Sequence, residues 1–502
     1  MKIVCMVVFS FLFLMSLQAQ DVGATMPSDP VAGENRQLYE RDFSRSSDSL
    51  TVIVPKTPAD SVPYNEYGDL RKDKPAYNQK SPILVCASRV LINSALMVGF
   101  DRYVLNEDFA KIGPNSWNNN LKTGWEWDKD RFGMNYFAHP YSGAGYFNAA
   151  RSNGYGFYES VPFAFGGSLT WEYFGENTLP SINDLINTTI TGAFLGEISY
   201  RLSSNFLDDR TTGSERFFRE AFAAIINPQR AFSRLLHGRL WRGTSEEVYQ
   251  KEPLNMSFGV GSHFVNSGNS FGTGPMLGML TLRLEYGDAF EHRSRTIFDY
   301  FKLRADLSSG MGRKVVDNVL GEAFLFGANL HSGSLEMLVG AFQHYDFWDN
   351  NTFELGTLGF GGGVISKVAV SPNSNLYVDL HLAAVPLAGN STVLGPDTSQ
   401  FRDYNYGGGA EVKFNAILNL GERASILFRS NYYWIHTYVG IAGDNYIAIV
   451  RPSIVFKIVG NLRLGFEHLI YYSDRYATGY PAVLNVRTEQ KIFLQFDVDN
   501  FQ

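Results

Sequence analysis

"LTLRLEY", residues 280 to 286, decides what this chain folds into. Leu280, Leu282, Leu284 and Tyr286 alternate with Thr281, Arg283 and Glu285. Successive side chains of a strand point to opposite faces, so the segment reads as a strand with one oily and one charged side. "FKLRADLS" repeats the pattern, with Phe301, Leu303, Ala305 and Leu307 set against Lys302, Arg304, Asp306 and Ser308. "LYVDLHLAA" does the same from Leu376, and "VKFNAILNL", "LRLGFEHLI" and "KIFLQFDVDNF" follow. A soluble sandwich gives this alternation too, but its strands are usually about 5 to 6 residues. These run to roughly 9 to 12, the length a tilted strand needs to cross a bilayer.

Turn signals such as "NSGNSFGTG", "SSGMG", "SPNSN" and "NLGE" divide residues 254–499 into about twelve such strands. An even count suits an antiparallel transmembrane β-barrel. The chain ends in an alternating strand with Phe501 next to last, and aromatic runs such as "YYWIHTY" and "HLIYYSDRY" fit interfacial girdles. The fold class is therefore mostly β with an α-helical N-terminal module, the β part closing into a barrel.

Composition agrees with that class. The chain is 45% hydrophobic and 15% aromatic with 48 glycines in 502 residues, too glycine-rich and aromatic for a typical soluble helical enzyme. "MKIVCMVVFSFLFLMS" and the following "LQAQD" have the form of a secretory signal over residues 1–19. Its removal would leave Cys86 as the single cysteine, so no intrachain disulfide is expected. A net charge of -7, or -8 once Lys2 is lost with the signal, argues against a nucleic-acid partner. After the signal, no segment reaches 18 uninterrupted apolar residues.

Residues 20–80 are polar, with stretches such as "GATMPSDPVAGENRQ", and read as a disordered tether. Residues 81–250 read as a helical module and 251–502 as the barrel. "GWEWDKDRFGMNYF" looks extended, and helices then break at "LPSIND" and "INPQR". A barrel of about twelve strands is wider than one filled by side chains alone, yet it holds at most one helix of roughly 10 to 12 Å. The helical module is thus expected on the periplasmic side, bracing the rim or plugging the lumen.

The notable polar groups lie in that module. Ser160 can cap a helix that tolerates Pro162 in its first turn. Ala164, Ser168, Glu172 and Glu176 recur every four residues, as do Asp184, Thr188, Gly192 and Gly196 after the turn "NTLPS". Small residues at that spacing let two helix backbones approach. The candidate reactive groups are His139, Glu172, Glu176 and Asp184, able to serve as an acid and base pair or to hold a divalent metal. Structural alternatives stand beside that reading. Ser181 and Asp184 fit a capping box, and Glu172 and Glu176 can pair with Arg151 or Arg201. His139, before Pro140, can be a joint residue in extended geometry. Arg151, Asn183, Asn187, Gly192, Gly196 and Glu197 are the expected structural or binding residues. No HExxH, GxSxG or P-loop spacing selects a reaction. Arg230, Arg234, Arg239 and Arg242 lie on an amphipathic pattern, able to meet anionic lipid headgroups or to dock the helix on the barrel rim.

"NYFAHPYSGAGYFNAARSNG", "SLTWEYFGE", "PSINDLINTTITGAFLGE" and "INPQRAF", followed by "YGD" and "FDYFKL", resemble the family called domain of unknown function 3943, found in exported proteins of Gram-negative bacteria. The likeness covers roughly residues 90–310 and implies an envelope location without implying a reaction. More loosely, the order of Glu, then Asp and Asn, then GxxxG is similar to VanZ-like membrane proteins. The expected function is an outer-membrane barrel with a transport or scaffolding role; the alternative is a membrane-associated hydrolase of an envelope lipid or glycan. Expected partners are outer-membrane lipids, the barrel-insertion machinery and an unidentified small molecule or lipid.

Overall fold

The computed structural model describes residues 51–52, 73, 79–267, 270–309, 315–350, 352–391 and 404–501. The expected signal and nearly all of the expected tether lie outside the described residues. Within the tether's span, Thr51–Val52 forms a short strand that pairs with Leu330 and His331.

Twelve strands follow the helices: β1 (Leu254–Ser267), β2 (Met276–Tyr286), β3 (Phe301–Ser309), β4 (Val316–Ser332), β5 (Leu335–Asp349), β6 (Glu354–Ser371), β7 (Ser374–Ser391), β8 (Tyr404–Leu420), β9 (Ala424–Val439), β10 (Gly443–Val459), β11 (Leu462–Ala477) and β12 (Val483–Val498). Each pairs antiparallel with its neighbours in sequence, and β12 pairs with β1 along Arg487↔Ser267 to Val498↔Met256. That last ladder closes the barrel and removes the sheet edges.

Side-chain contacts across non-neighbouring strands identify the lumen. Lys302 of β3 meets Asp379 of β7 at 2.6 Å, and Arg304 of β3 meets Glu467 of β11 at 2.8 Å. His344 of β5 lies 2.5 Å from Glu411 of β8, and Lys413 of β8 2.8 Å from Asp346. Groups on strands separated by two or three others can meet only through the interior. The charged face anticipated from "FKLRADLS" therefore points inward. His344, His381 and Glu467 are fully buried, so the lumen between these strands is packed with polar and charged side chains. The opposite parity is apolar and much of it exposed: Phe258 and Val260 on β1, Leu280 on β2, Ile426, Phe428, Tyr432 and Trp434 on β9, and Ile492, Leu494 and Phe496 on β12. A polar interior and an oily exterior are what a bilayer-spanning barrel requires.

Seven helices are found among the described residues: α1 (Ile83–Phe100), α2 (Pro114–Thr123), α3 (His139–Arg151), α4 (Phe157–Phe174), α5 (Ile182–Phe206), α6 (Gly213–Ile226) and α7 (Pro228–Leu236). α4 begins at Phe157, three residues before the expected cap, because Glu159 reaches back to the Gly156 amide at 2.8 Å. Ser160 instead donates to the Gly156 carbonyl. α1 and the π-helical turn after it, Ile83–Leu105, are long and apolar enough to cross a membrane by length and composition, although charged and polar residues interrupt the run.

These helices touch the barrel through its outward face. Tyr136 sits over Gly356 and Gly389, where any Cβ would meet its ring at 2.2 and 2.4 Å. Phe194 of α5 packs on Gly321 and lies 6.2 Å from the Tyr345 ring. Farther along, Asn205 donates to the Glu252 and Phe501 carbonyls beside the start of β1. α5, 25 residues and so roughly 37 Å long, thus runs along the wall from the β8 end to the β1 end. This differs from the expected seat at the mouth or inside the lumen. The lumen is occupied by its own ion pairs, and the apolar wall offers the helices a matching surface.

Candidate functional site

Proline builds the first part of the site. Pro140 has no N–H to give to the carbonyl four residues back, and its ring would clash there. The helix widens into a π-helical turn over Met134–Ala138, and the freed Tyr136 carbonyl accepts from the Tyr345 hydroxyl of β5. His139 is therefore helical, with φ -59° and ψ -49°, and not in the extended joint expected before a proline. Its ring is fixed between α3 and α5: Nδ1 lies 3.3 Å from Thr188 Oγ1, and Nε2 lies 3.8 Å from Asp184 Oδ1.

The end of α4, the start of α5 and the turn between them supply the carboxylates. Ser181 caps α5 by accepting from the Asp184 amide, as the sequence suggested. The reciprocal half of the box is different. The Ser181 amide donates to Glu172 Oε2 at 2.8 Å, which leaves the Asp184 carboxylate free of capping work. Asp184 Oδ1 accepts instead from Asn183 Nδ2 at 2.9 Å. Asn183 also donates to Asp128 Oδ1 at 3.0 Å and accepts from the Asp128 amide and the Ser181 hydroxyl. Asn120 tethers the end of α4, donating to the Glu172 and Glu176 carbonyls.

One ligand atom from each of His139, Glu172 and Asp184 falls within 4.8 Å of the others, and all three residues are buried. Glu176 adjoins Glu172 and is 6% exposed. The barrel wall completes the surroundings: Asn135 donates to the Tyr404 hydroxyl and to that of Tyr406, and Tyr406 donates to Asp128 Oδ1 at 2.8 Å. Asn187 donates to the Asn135 carbonyl, locking α5 to the π-helical turn.

The electrostatics follow from burial. Glu172 is pushed up to about 8, first by removal from water and then by Asp128 and Asp130, against the hydrogen bonds it shares with the Ser181 amide and Glu176. Burial, reinforced by Glu172, raises Glu176 well above the usual carboxylate range. Asp184 is raised by burial and by Asp128 and Glu172. His139 is pulled down by burial, against the opposing pull of Asp128. A neutral imidazole beside protonated carboxyls can exchange protons with a substrate or give up those protons to a cation.

The cations expected for Glu172 and Glu176 are elsewhere. Arg151 forks onto Glu197 at 2.7 and 3.1 Å, and Arg201 reaches the same carboxylate at 2.8 Å. Burial works to raise Glu197, and the two guanidiniums outweigh it, holding the group below its ordinary range. Tyr200 is clasped between Arg151 and Arg230, at 3.9 and 4.1 Å from its ring centre. Arg230 and Arg234 are buried and donate to the Tyr200 carbonyl and to Asp209 and Glu220, so these two do not reach lipid headgroups. Gly192 and Gly196 are the contact points of α5 with Gly143 and Phe147 of α3.

Asp128, Asn135, Tyr404 and Tyr406 were not among the sequence-derived candidates. Asp128 lies in a stretch without periodicity, and the two tyrosines come from the barrel, so only tertiary structure assembles them.

No curated protein sequence matches the chain. Among solved structures, it is similar to the NanC porin, at 8% identity over 48% of this chain and 98% of that one, with a TM-score of 0.28. It is also similar to the outer membrane channel DcaP of Acinetobacter baumannii, at 7% identity over 50% and 97% with a TM-score of 0.23. The COG4313 outer membrane channel from Pseudomonas putida F1 gives 6% over 49% and 96%, with 0.25. Scores this low carry no argument, and the barrel rests on its own strand pairings. The segment that holds His139, Glu172, Glu176 and Asp184 is the one with a family likeness: residues 124–229 match the model described as domain of unknown function (DUF3943).

Proposed function

We propose that the chain is an outer-membrane barrel serving as a scaffold, which holds on its outer wall a helical module whose His139–Glu172–Asp184 centre acts on an envelope lipid or glycan. The observation that carries this reading is the convergence of those three buried residues, with Glu176 and Asp128 beside them, while the two arginines expected to pair with Glu172 and Glu176 are committed to Glu197. Burying several carboxyls without a cation is unfavourable, and such arrangements concentrate at functional sites. The filled lumen favours a scaffold over a passive pore. Exposed Ile83, Leu84 and Leu91 on α1, Phe165 on α4, and Phe217, Phe218 and Phe222 on α6 give the module an oily surface suited to lipid.

In this reading a protonated Glu172 or Glu176 acts as the acid and neutral His139 as the base. The same donors, one imidazole nitrogen and several carboxylate oxygens, fit a divalent cation, and Glu172 Oε1 meets no donor. Bound there, a divalent ion would supply Lewis acidity for hydrolysis.

A second reading, bracing without chemistry, is favoured by the breadth of the helix–wall contact and by Tyr136, Phe194 and Asn205 as its anchors. Lipid and glycan profiles of cells carrying Glu172→Gln or His139→Ala separate the two. An altered profile with full-length protein of unchanged stability supports the enzyme. An unchanged profile with a large loss of stability supports the brace and refutes the enzyme.

A further inference from the structure

A second cluster lies away from the helical centre, at the barrel end that carries the chain's entry and exit. His331 of β4 and Glu336 of β5 are direct partners across a tight hairpin. Facing partners in an antiparallel pair present their side chains on the same side, within about 5.5 Å at Cβ. The connection between β2 and β3, residues 287–300, folds over that hairpin. Asn329 donates to the Ala289 carbonyl at 2.7 Å, and Arg295 donates to Asn329 Oδ1 at 2.9 Å. Ala289 then packs with Phe324, Leu338, Phe342 and Ile365. The fold of this connection carries His292 to His331, ring centres 5.9 Å apart and nearly perpendicular. One ligand atom from each of His292, His331 and Glu336 lies within 4.8 Å of the other two.

We propose that His292, His331 and Glu336 form a site for a divalent transition metal of the zinc type, which clasps the 287–300 connection across this mouth of the barrel. Two imidazoles and one carboxylate are a borderline donor set that zinc accepts with three protein ligands and one open position. Nδ1 of His331 is buried and meets no hydrogen-bond partner, a state that a metal bond or a proton shared with a ligand would relieve. Glu336 is held 3.5 Å from Lys367, which orients the carboxylate without enclosing it. His292 is exposed, so the open position faces solvent and an ion can enter from the mouth. The site joins segments about forty residues apart in sequence, so an ion there would add to the hold that Asn329 and Arg295 already give the connection.

The test uses full-length protein in detergent, stripped with chelator and titrated with Zn2+ by calorimetry, with Co2+ absorption reporting the coordination. Wild type is expected to take up zinc, and His292→Ala, at an exposed loop position, to lose one equivalent per chain while its thermal midpoint without metal is unchanged. Glu336→Gln should weaken the same equivalent by tenfold or more. His139→Ala should leave it intact, which separates this site from the helical centre. Equal zinc uptake by wild type and His292→Ala, or none by wild type, overturns the proposal.

Discussion

Gly143 of α3 and Gly192 of α5 touch through their backbones: a Cβ on Gly143 would lie 1.8 Å from the Thr188 carbonyl oxygen and 2.9 Å from Gly192 Cα. This crossing brings His139, one turn earlier, against Asp184 and Thr188.

Gly143→Ala should therefore separate the two helices and dismantle the centre. Overpacking of a tight interface usually costs about 1–3 kcal/mol, and here the obstacle is backbone that cannot rotate away. The expected result is a lower midpoint for the helical module and faster proteolysis between α3 and α5, with the barrel still heat-resistant on gels. Gly166→Ala, where an added Cβ meets nothing within 4 Å, is the control and should be silent. Equal behaviour of the two variants would refute the close crossing.

The raised carboxyl of Glu172 makes stability depend on pH. Its folded value of about 8 lies above the ordinary 4.5, so between those values the folded state holds a proton that the unfolded chain has released. Stability then falls as pH rises through that window, by about 1.4 kcal/mol per pH unit for one carboxyl titrating fully. Glu172→Gln removes the ionisation. Thermal scans in detergent from pH 5 to about 8 should show a steeper decline for wild type than for the variant. Parallel curves would contradict the burial of an uncompensated carboxyl.

Glu197 is the opposite case, a buried carboxylate with two guanidiniums. Glu197→Ala leaves Arg151 and Arg201 facing each other without the carboxylate they share, a change expected to cost about 3–5 kcal/mol. Arg151→Ala should cost less, because Arg201 still reaches Glu197 at 2.8 Å. Denaturant titrations that follow the helical module check the order of the two variants.

The barrel was legible because its period is short and its two faces differ chemically: Lys302, Arg304 and Asp306 announce the lumen from within one strand. The position of the helices was not. Outward Tyr345 and Phe347 look the same in sequence whether lipid or a helix covers them, so nothing local predicts that Tyr136 and Phe132 will lie there. Within the centre, the stripes placed Glu172, Glu176 and Asp184 together because helical spacing is local. The Arg151–Glu197 pair spans 46 residues and the Tyr406–Asp128 bond 278, and no periodicity encodes contacts at such separations.

Glu467 controls the character of the lumen. It is fully buried and sits 2.8 Å from Arg304, 3.7 Å from Arg283 and 3.8 Å from Arg429, with Arg451 in the same cluster. With these charged side chains packed together across its lumen, the wild-type barrel should insert into planar bilayers without resolvable current steps. Glu467→Ala leaves Asp306, already paired with Arg304 and Lys491, as the remaining carboxylate of this arginine cluster. Mutual repulsion among the arginines should loosen the packing, admit water, and give conductance that favours anions, since a ring of positive side chains attracts them. Open wild-type channels, or cation-selective current from Glu467→Ala, would show that these cross-lumen pairs do not close the barrel.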